Sequence, residues 1–320
     1  MLDRKQRVQI SDALSDFRPI SSGVLQGSCG GPLYFSVFIN DLVDEMPPGA
    51  EILLFADDSK IYSSDAVTLQ NALDRVDKWA KKWQLQLSPT KCQILQIAKH
   101  PIYPTYPFHI GTNILEVVSE VRDLGILVAS TLKFDLHQRA IIKRASFASY
   151  SILKAFVSRR PKAMAEAFAT YVRPHLETSP QIWCPVSKSA STTIEAVQRR
   201  FTKQVYQKCS IPMVSYQDRL KFLNLESLEV RRKRFDLGFL HKLYHMDSDD
   251  LLSRVFPRHC PAREVRRNHR LPENRPHGPR AQFIVHRSAR EWNRLPASVV
   301  NYSPKQFMEY LISHGDELFN

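Results

Sequence analysis

Two adjacent carboxylates, Asp57 and Asp58, are the residues of this chain whose type and setting best suit chemistry. They lie between two short apolar runs, residues 51–54 and 60–62, each of which is typical of a β-strand. A tight hairpin would hold both side chains near one point, where their mutual repulsion favours a bound divalent cation. Oxygen ligands of this kind suit Mg²⁺. A solvated turn is the plain alternative, because Asp is a common turn residue.

Two longer motifs precede the carboxylate pair. Residues 22–33 read SGVLQGSCGGPL, and residues 35–42 read FSVFINDL. Taken in order before the FADD of residues 55–58, these segments resemble the reverse transcriptases of non-LTR (LINE-type) retrotransposons, especially the jockey-like group. The resemblance covers essentially the whole chain, since it continues at residues 79–83, 88–92, 121–126, 171–174, 197–201, 227–232 and 292–296.

The resemblance implies an RNA-directed DNA polymerase that uses an RNA template, a DNA primer and deoxynucleotides, with Mg²⁺ as cofactor and Mn²⁺ as a possible substitute. It makes Asp57 the principal remaining catalytic metal ligand and Asp58 a supporting one. Two metal ions roughly 3.5–4 Å apart would activate the primer hydroxyl and steady the leaving group.

The resemblance also assigns contacts with the nucleic acid. Gln26 and Gly27 are expected to contact nucleotide or template, although an ordinary helix-entry turn would explain the glycine as well. Lys91 is expected near the triphosphate, with a surface lysine at a strand edge as the alternative. Leu124 and Gly125 fall in the segment that contacts the primer, unless the glycine merely permits a β-turn.

A further catalytic aspartate, in a segment resembling DFSKAFD, precedes the first of these motifs in the family. Asp3, Asp12 and Asp16 have no such context here. Because a two-metal site needs ligands from more than one strand, we expect a truncated copy that is inactive or nearly so alone. The competing expectation is a non-catalytic, basic nucleic-acid-binding remnant.

Bulk composition agrees with a protein that handles nucleic acid. Forty-five Lys and Arg residues against 32 Asp and Glu residues give a formal net charge of +13, which suits phosphate backbones. Residues 254–294 contain eleven arginines and no lysine. This segment either contacts phosphate and bases through guanidinium groups or is a proline-broken, solvated stretch.

Targeting and cysteine patterns favour an intracellular protein, nuclear or cytoplasmic. The first residues are charged and lack the apolar core of a secretory signal, and no run of eighteen apolar residues predicts a membrane span. Five scattered cysteines favour a reduced compartment. His259 and Cys260, with His269 and His277 nearby, lack the second cysteine of a zinc knuckle, so structural zinc is not expected.

The predicted fold class is α+β: a partial polymerase palm with an antiparallel sheet over residues 1–130, a helical thumb-like region over 131–250, and an Arg/Pro-rich segment with a short terminal helix over 251–320. Residues 33–42 are predicted to form a buried helix. A capped helix follows Ser64 and Asp65, with Trp83 on its buried stripe and Trp79 off it.

Apolar residues at helical spacing predict four helices in the thumb-like region, and one more apolar set predicts a docked C-terminal cap. These sets are Ile141, Ala145, Ala148, Ile152 and Phe156; Ala163, Ala167 and Tyr171; Ile194, Val197, Phe201 and Val205; Phe235, Phe239 and Leu243; and Trp292, Leu295, Val299, Phe307 and Leu311. In a polymerase thumb, basic residues grip the duplex backbone without reading sequence. The candidates include Lys143, Arg144, Arg159, Arg160, Arg199, Arg200, Arg231 and Arg232.

Overall fold

The computed structural model describes residues 4–20, 23–24, 27–97, 107–157, 159–185, 187–246, 270–271, 273 and 278–319. The chain divides into two compact units. The first contains residues 1–96 and 102–118, and the second contains residues 97–101 and 119–320. Most of the Arg-rich segment, including His259, Cys260, His269 and His277, lies outside the described residues.

The first unit combines short strand pairs with two helices. Its elements are β1 (Lys5–Gln6), β2 (Gln9–Ile10), β3 (Ala13–Leu14), β4 (Arg18–Pro19), α1 (Gly31–Ile39), a 3-10 turn (Asn40–Leu42), β5 (Ala50–Phe55), β6 (Asp58–Ser63), α2 (Ala66–Lys82), a 3-10 turn (Pro89–Lys91), β7 (Gln93–Leu95), β8 (His109–Ile110), β9 (Asn113–Ile114) and β10 (Glu116–Val118). The pairs β1–β4, β2–β3, β5–β6 and β8–β9 are antiparallel, and β7–β10 is parallel.

The second unit starts with a hairpin and continues as helices. Its elements are β11 (Glu120–Asp123), β12 (Ile126–Ala129), α3 (Asp135–Ala155), α4 (Pro161–Tyr171), α5 (Arg173–Glu177), α6 (Pro180–Trp183), α7 (Lys188–Lys208), α8 (Tyr216–Leu223), α9 (Leu228–Tyr244), a 3-10 turn (Gly278–Gln282), α10 (Ile284–Arg287), α11 (Ala289–Asn293), α12 (Ala297–Val300), α13 (Pro304–Ser313) and α14 (Gly315–Phe319). The α+β class predicted from the sequence is confirmed. In the described parts of the chain every sheet has two strands.

Helix α2 organises the first unit. Its N-terminus is capped as predicted, because the Asp65 carboxylate accepts a 2.8 Å hydrogen bond from the Thr68 amide. Buried Gln70 exchanges hydrogen bonds with the backbone of His109 at 2.9 and 3.0 Å. This pair of hydrogen bonds ties β8 to α2.

Two of the burial predictions for the first unit were wrong. Helix α1 forms, but Leu33 and Val37 are 64% and 68% exposed, because only its other face packs on the core beside α2. The burial predicted for the two tryptophans near the end of α2 is reversed: Trp79 is buried and Trp83 is 41% exposed. The helix ends at Lys82, so Trp83 becomes its C-cap and no longer follows the helical stripe.

Helix α9 contributes to both hydrophobic cores of the second unit. Leu228 at its start packs with α3, α4, α7 and α8, while Leu237 and Leu240 pack with α10 to α13. The stripes predicted for α3, α7 and the C-terminal set are confirmed in their main positions. Those of α4 and α9 were misplaced, since Tyr171 is 66% and Phe239 is 37% exposed.

None of the helices in the described ranges is both long enough and apolar enough to cross a bilayer. The described cysteines, Cys29, Cys92, Cys184 and Cys209, are all free thiols.

Candidate active site

The two carboxylates lie at the bend of a regular hairpin, as the sequence predicts. Strands β5 and β6 pair in antiparallel register from Ala50 opposite Ser63 to Phe55 opposite Asp58. Ala56 and Asp57 form the two-residue turn, and Asp58 is the first residue of β6. Both carboxylates are therefore exposed neighbours at the tip of the hairpin.

The turn holds an unfavourable backbone angle at Ala56, whose φ is +51°. A hairpin turn commonly places glycine where φ is positive, because a Cβ atom is strained there. Strain of this kind persists when the surrounding structure fixes it, and it is enriched at functional sites.

The inner face of the hairpin is fixed by α2. Ile52, Leu54 and Ile61 pack against the cluster that contains Val76 and Trp79. This contact orients the tip, since the pleat sends alternate side chains to opposite faces. The outer face is different, because the side chains of the outward-facing residues Leu53 and Phe55 are 51% and 64% exposed.

The donor set at the hairpin tip fits one divalent cation. Mg²⁺ commonly takes one or two carboxylates from the protein and completes its shell with water and substrate phosphate, which Asp57 and Asp58 can satisfy. Within the described residues no group of three or more His, Cys, Asp or Glu side chains could hold a metal ion. A second ion would therefore need a ligand from outside this set.

The other predicted contacts of the first unit are found on its surface. Gly27 is exposed with φ +81°, and among the described residues beyond its chain neighbours no heavy atom lies within 4 Å of where a Cβ would stand. The backbone there is open to close approach by a ligand. Gln26 lies outside the described residues. Lys91 is exposed at the end of the 3-10 turn that precedes β7.

Leu124 and Gly125 form the two-residue turn between β11 and β12 in the second unit. Their φ angles are +44° and +88°, so both are in the region that type I′ hairpins require. Glycine accepts this conformation without strain, whereas leucine does not. Leu124 is also 54% exposed, so an apolar side chain stands at the tip of a strained turn.

Opposite effects on stability are expected from two substitutions in this turn. Leu124→Asn should stabilise the protein by about 1 kcal/mol, because Asn tolerates positive φ. Gly125→Ala should destabilise it by about 1–2 kcal/mol although the added methyl meets open space. Urea unfolding measures both. Equal effects of the same sign would show that backbone strain does not govern this turn.

Four of the arginines proposed to grip a duplex, Arg199, Arg200, Arg231 and Arg232, fall into two groups. Arg199 and Arg200 are exposed on α7, and the Arg199 guanidinium lies 4.6 Å from the Tyr216 ring centroid. Arg231 makes a bidentate pair with Glu177, at 2.5 and 3.0 Å. Arg232 is 1% exposed. The placement of this second pair favours structural roles over contact with a nucleic-acid backbone.

Two features were missed in the sequence. The carboxylate partner Glu177 lies 54 residues before Arg231, and nothing local signals that pairing. By contrast, the exposed side of α3 could have been found. Phe147 and Tyr150 lie off its apolar stripe and at helical spacing from Lys143 and Lys154, and they are 73% and 61% exposed.

The chain has sequence relatives among polymerases. Residues 2–128 match the family described as reverse transcriptase (RNA-dependent DNA polymerase). The probable RNA-directed DNA polymerase from transposon BS of Drosophila melanogaster is 29% identical over 223 residues, covering 63% of this chain and 24% of that protein. The RNA-directed DNA polymerase from mobile element jockey of Drosophila melanogaster is 31% identical over 102 residues, covering 28% and 11%.

The probable RNA-directed DNA polymerase from transposon X-element of Drosophila melanogaster is 25% identical over 220 residues, covering 63% of this chain and 24% of that protein. The chain thus spans a quarter or less of these three relatives. No solved structure matches it significantly. The resemblance predicted from the motifs is confirmed: the chain is similar to RNA-directed DNA polymerases of non-LTR mobile elements, and residues 2–128 are similar to the reverse transcriptase family.

Proposed function

We propose that this chain works in RNA-directed DNA synthesis as part of a mobile-element reverse transcriptase inside the cell. The observation that carries the proposal is the hairpin tip. It presents Asp57 and Asp58 side by side within the segment that matches the reverse transcriptase family. Paired, exposed carboxylates on a supported bend suit metal-assisted nucleotidyl transfer.

In the proposed mechanism, Asp57 and Asp58 are the residues that would hold Mg²⁺ at the hairpin tip. The bound ion would supply a lowered pKa for the primer hydroxyl and charge neutralisation at the phosphates. Gly27 lets a template or nucleotide approach the backbone closely. Lys91 supplies a positive charge for the leaving pyrophosphate, and the Leu124–Gly125 turn contacts the primer.

The direct test is primer extension on a poly-rA template with an oligo-dT primer. Residues 1–320 alone should make no product, because the described residues contain no group of three or more His, Cys, Asp or Glu side chains that could hold a metal ion. Joining the upstream part of the transposon BS relative should give Mg²⁺-dependent synthesis. Failure of the joined protein would count against the proposed function, and synthesis by residues 1–320 alone would refute the need for further ligands.

A second candidate function is nucleic-acid binding without catalysis. The exposed face of α3 favours it, because the lysines Lys143 and Lys154 flank the aromatic residues Phe147 and Tyr150 along one side. Cationic side chains bind successive phosphates of a nucleic-acid backbone, and aromatic rings stack on its bases. Neither role needs the carboxylates of the hairpin.

Replacing both Phe147 and Tyr150 by alanine should weaken binding of single-stranded RNA by about 1–3 kcal/mol per lost base stack. Lys143→Ala should instead lower the slope of log affinity against log salt by about 0.7. Fluorescence anisotropy over a range of salt concentrations measures both. Tyr171→Ala is the matched control, since Tyr171 is equally exposed but has no cation at helical spacing within α4. Equal losses in the control would refute a specific α3 surface.

A further inference from the structure

A cavity of about 550 Å³ is lined by residues of the second unit. Its walls come from the start of α7, the first half of α9 and the segment from α10 to α11. This volume is in the range of sites that bind small organic ligands.

The charges that line the cavity do not balance. Five cationic side chains contribute: Lys188, Arg232, Lys233, Arg287 and Arg290. Three carboxylates oppose them: Glu229, Asp236 and Glu291. A surplus of two positive charges around one partly open cavity favours an anion, because charges in a cavity are screened less than in open water.

Arg232 is the most deeply buried cation that lines the cavity, with 1% of its surface exposed. Its Nη2 donates to the Ser191 hydroxyl at 3.1 Å. Its Nη1 is buried and has no hydrogen-bond partner among the described residues. A buried guanidinium donor without a partner is costly.

The nearest buried carboxylate is already engaged by another cation. Asp236 receives two hydrogen bonds from Arg287, at 2.7 Å from Nη2 and 2.9 Å from Nε. Glu229 and Glu291 lie beside Lys233, at 3.5 and 3.8 Å from its Nζ. Each carboxylate of the cavity therefore lies closer to another cation than to the Arg232 guanidinium.

We propose that this cavity binds a phosphomonoester carried by a molecule about the size of a nucleoside monophosphate. Such a group carries about −1.5 to −2 charges at neutral pH, which matches the surplus. Lys188 and Arg290 are exposed on the cavity wall and make the direct contacts. Arg232 contributes its charge from a buried position.

The phosphate has two possible sources, a free nucleotide or the 5′-phosphate end of a nucleic-acid strand. The proposal does not depend on polymerase activity, since every residue it uses lies in the second unit. It also differs from backbone binding on α3, because it requires a terminal phosphate.

Isothermal titration calorimetry at physiological ionic strength tests the proposal on residues 1–320. The probes are inorganic phosphate, adenosine monophosphate, adenosine, and one hexanucleotide with either a 5′-phosphate or a 5′-hydroxyl. The expected result is binding of adenosine monophosphate but not of adenosine. The hexanucleotides identify the source, since a preference for the 5′-phosphate strand over the free nucleotide points to a strand end.

The variants separate the cavity from the rest of the basic surface. Lys188→Ala combined with Arg290→Ala should weaken phosphate binding at least about tenfold, because two charge-assisted contacts are lost. Lys203→Ala removes one charge from an exposed position on the same helix, α7, away from the cavity, and should change affinity little. Arg232→Met should also abolish binding, with circular dichroism reporting whether it folds.

Two results would overturn the proposal. One is that the unmodified chain binds neither phosphate nor adenosine monophosphate and does not distinguish the two hexanucleotides. The other is that Lys203→Ala weakens binding as much as the double variant of Lys188 and Arg290, which would indicate general attraction to a basic protein.

Discussion

Asp57→Asn is expected to lower DNA synthesis about a thousandfold or more in a protein that joins this chain to the upstream polymerase segment of the transposon BS relative. The substitution keeps the size of the side chain but removes the charge that holds a metal ion, and a thousandfold loss corresponds to about 4 kcal/mol. Folding should be unaffected, because the residue is exposed in a turn and both Asp and Asn suit turns.

The chain offers a closely matched control for Asp57→Asn. Asp12 is also the second residue of a two-residue hairpin turn, between β2 and β3, and it follows Ser11 at φ +52°. Asp12→Asn therefore makes the same chemical change in the same backbone setting. Synthesis and unfolding midpoints are measured for both variants. An active Asp57→Asn protein, or an equal loss in Asp12→Asn, would rule out the assigned role.

The acidic hairpin could be predicted because residues 51–62 are sufficient to specify it. Two short apolar runs separated by a two-residue turn specify the pairing of β5 with β6 without help from the rest of the chain. The same holds for the Asp65 cap of α2 and for the turn at Leu124 and Gly125. At each of these positions the residue type and its immediate neighbours determine the backbone.

The burial of individual side chains was predicted less well, because it depends on which other helices and strands pack against them. Leu33 and Val37 of α1 are apolar, yet they face away from the only core that α1 joins. The periodicity of α9 has a similar limit. Its buried face changes from one core to the other along the helix, so a single stripe through Phe235 and Phe239 does not describe it.

The long-range ion pairs of the second unit could not be predicted from the sequence. Arg287 and Asp236 are 51 residues apart and lie on different helices. Only the packing of α9 against α10 brings them together. An arginine in a basic sequence looks like a nucleic-acid contact, and the fold alone shows whether a carboxylate already engages it.

Arg287→Met is expected to destabilise the second unit by about 3 kcal/mol, the lower part of the range for breaking a buried ion pair. The side chains of Arg287 and Asp236 are 8% and 4% exposed. Arg287 also donates to the carbonyl oxygens of Gln181, at 2.9 Å, and Gln282. The substitution leaves these acceptors and the Asp236 carboxylate without their donor. The nearby charge of Arg232 keeps the cost from being larger.

The loss should depend on pH with a defined sign. Burial raises the pKa of Asp236, and the hydrogen bonds from Arg287 oppose that rise. Without Arg287 the folded-state pKa of Asp236 rises further. The Arg287→Met variant therefore loses most stability at pH values above this folded-state pKa of Asp236. The loss is smallest below the ordinary Asp value of about 4, where the carboxyl is protonated in both states. Urea unfolding at neutral and acidic pH measures the difference.

Two further variants distinguish the bidentate geometry of the buried Arg287–Asp236 pair from the effect of a positive charge alone. Arg287→Lys keeps the charge but loses the bidentate geometry, so an intermediate loss of stability is expected. Lys81→Met breaks the pair with Asp77 on α2, where the lysine is 71% exposed, and should cost less than about 1 kcal/mol. If Arg287→Met cost no more than Lys81→Met, or if its cost were the same at both pH values, the pair would not anchor α9 to α10.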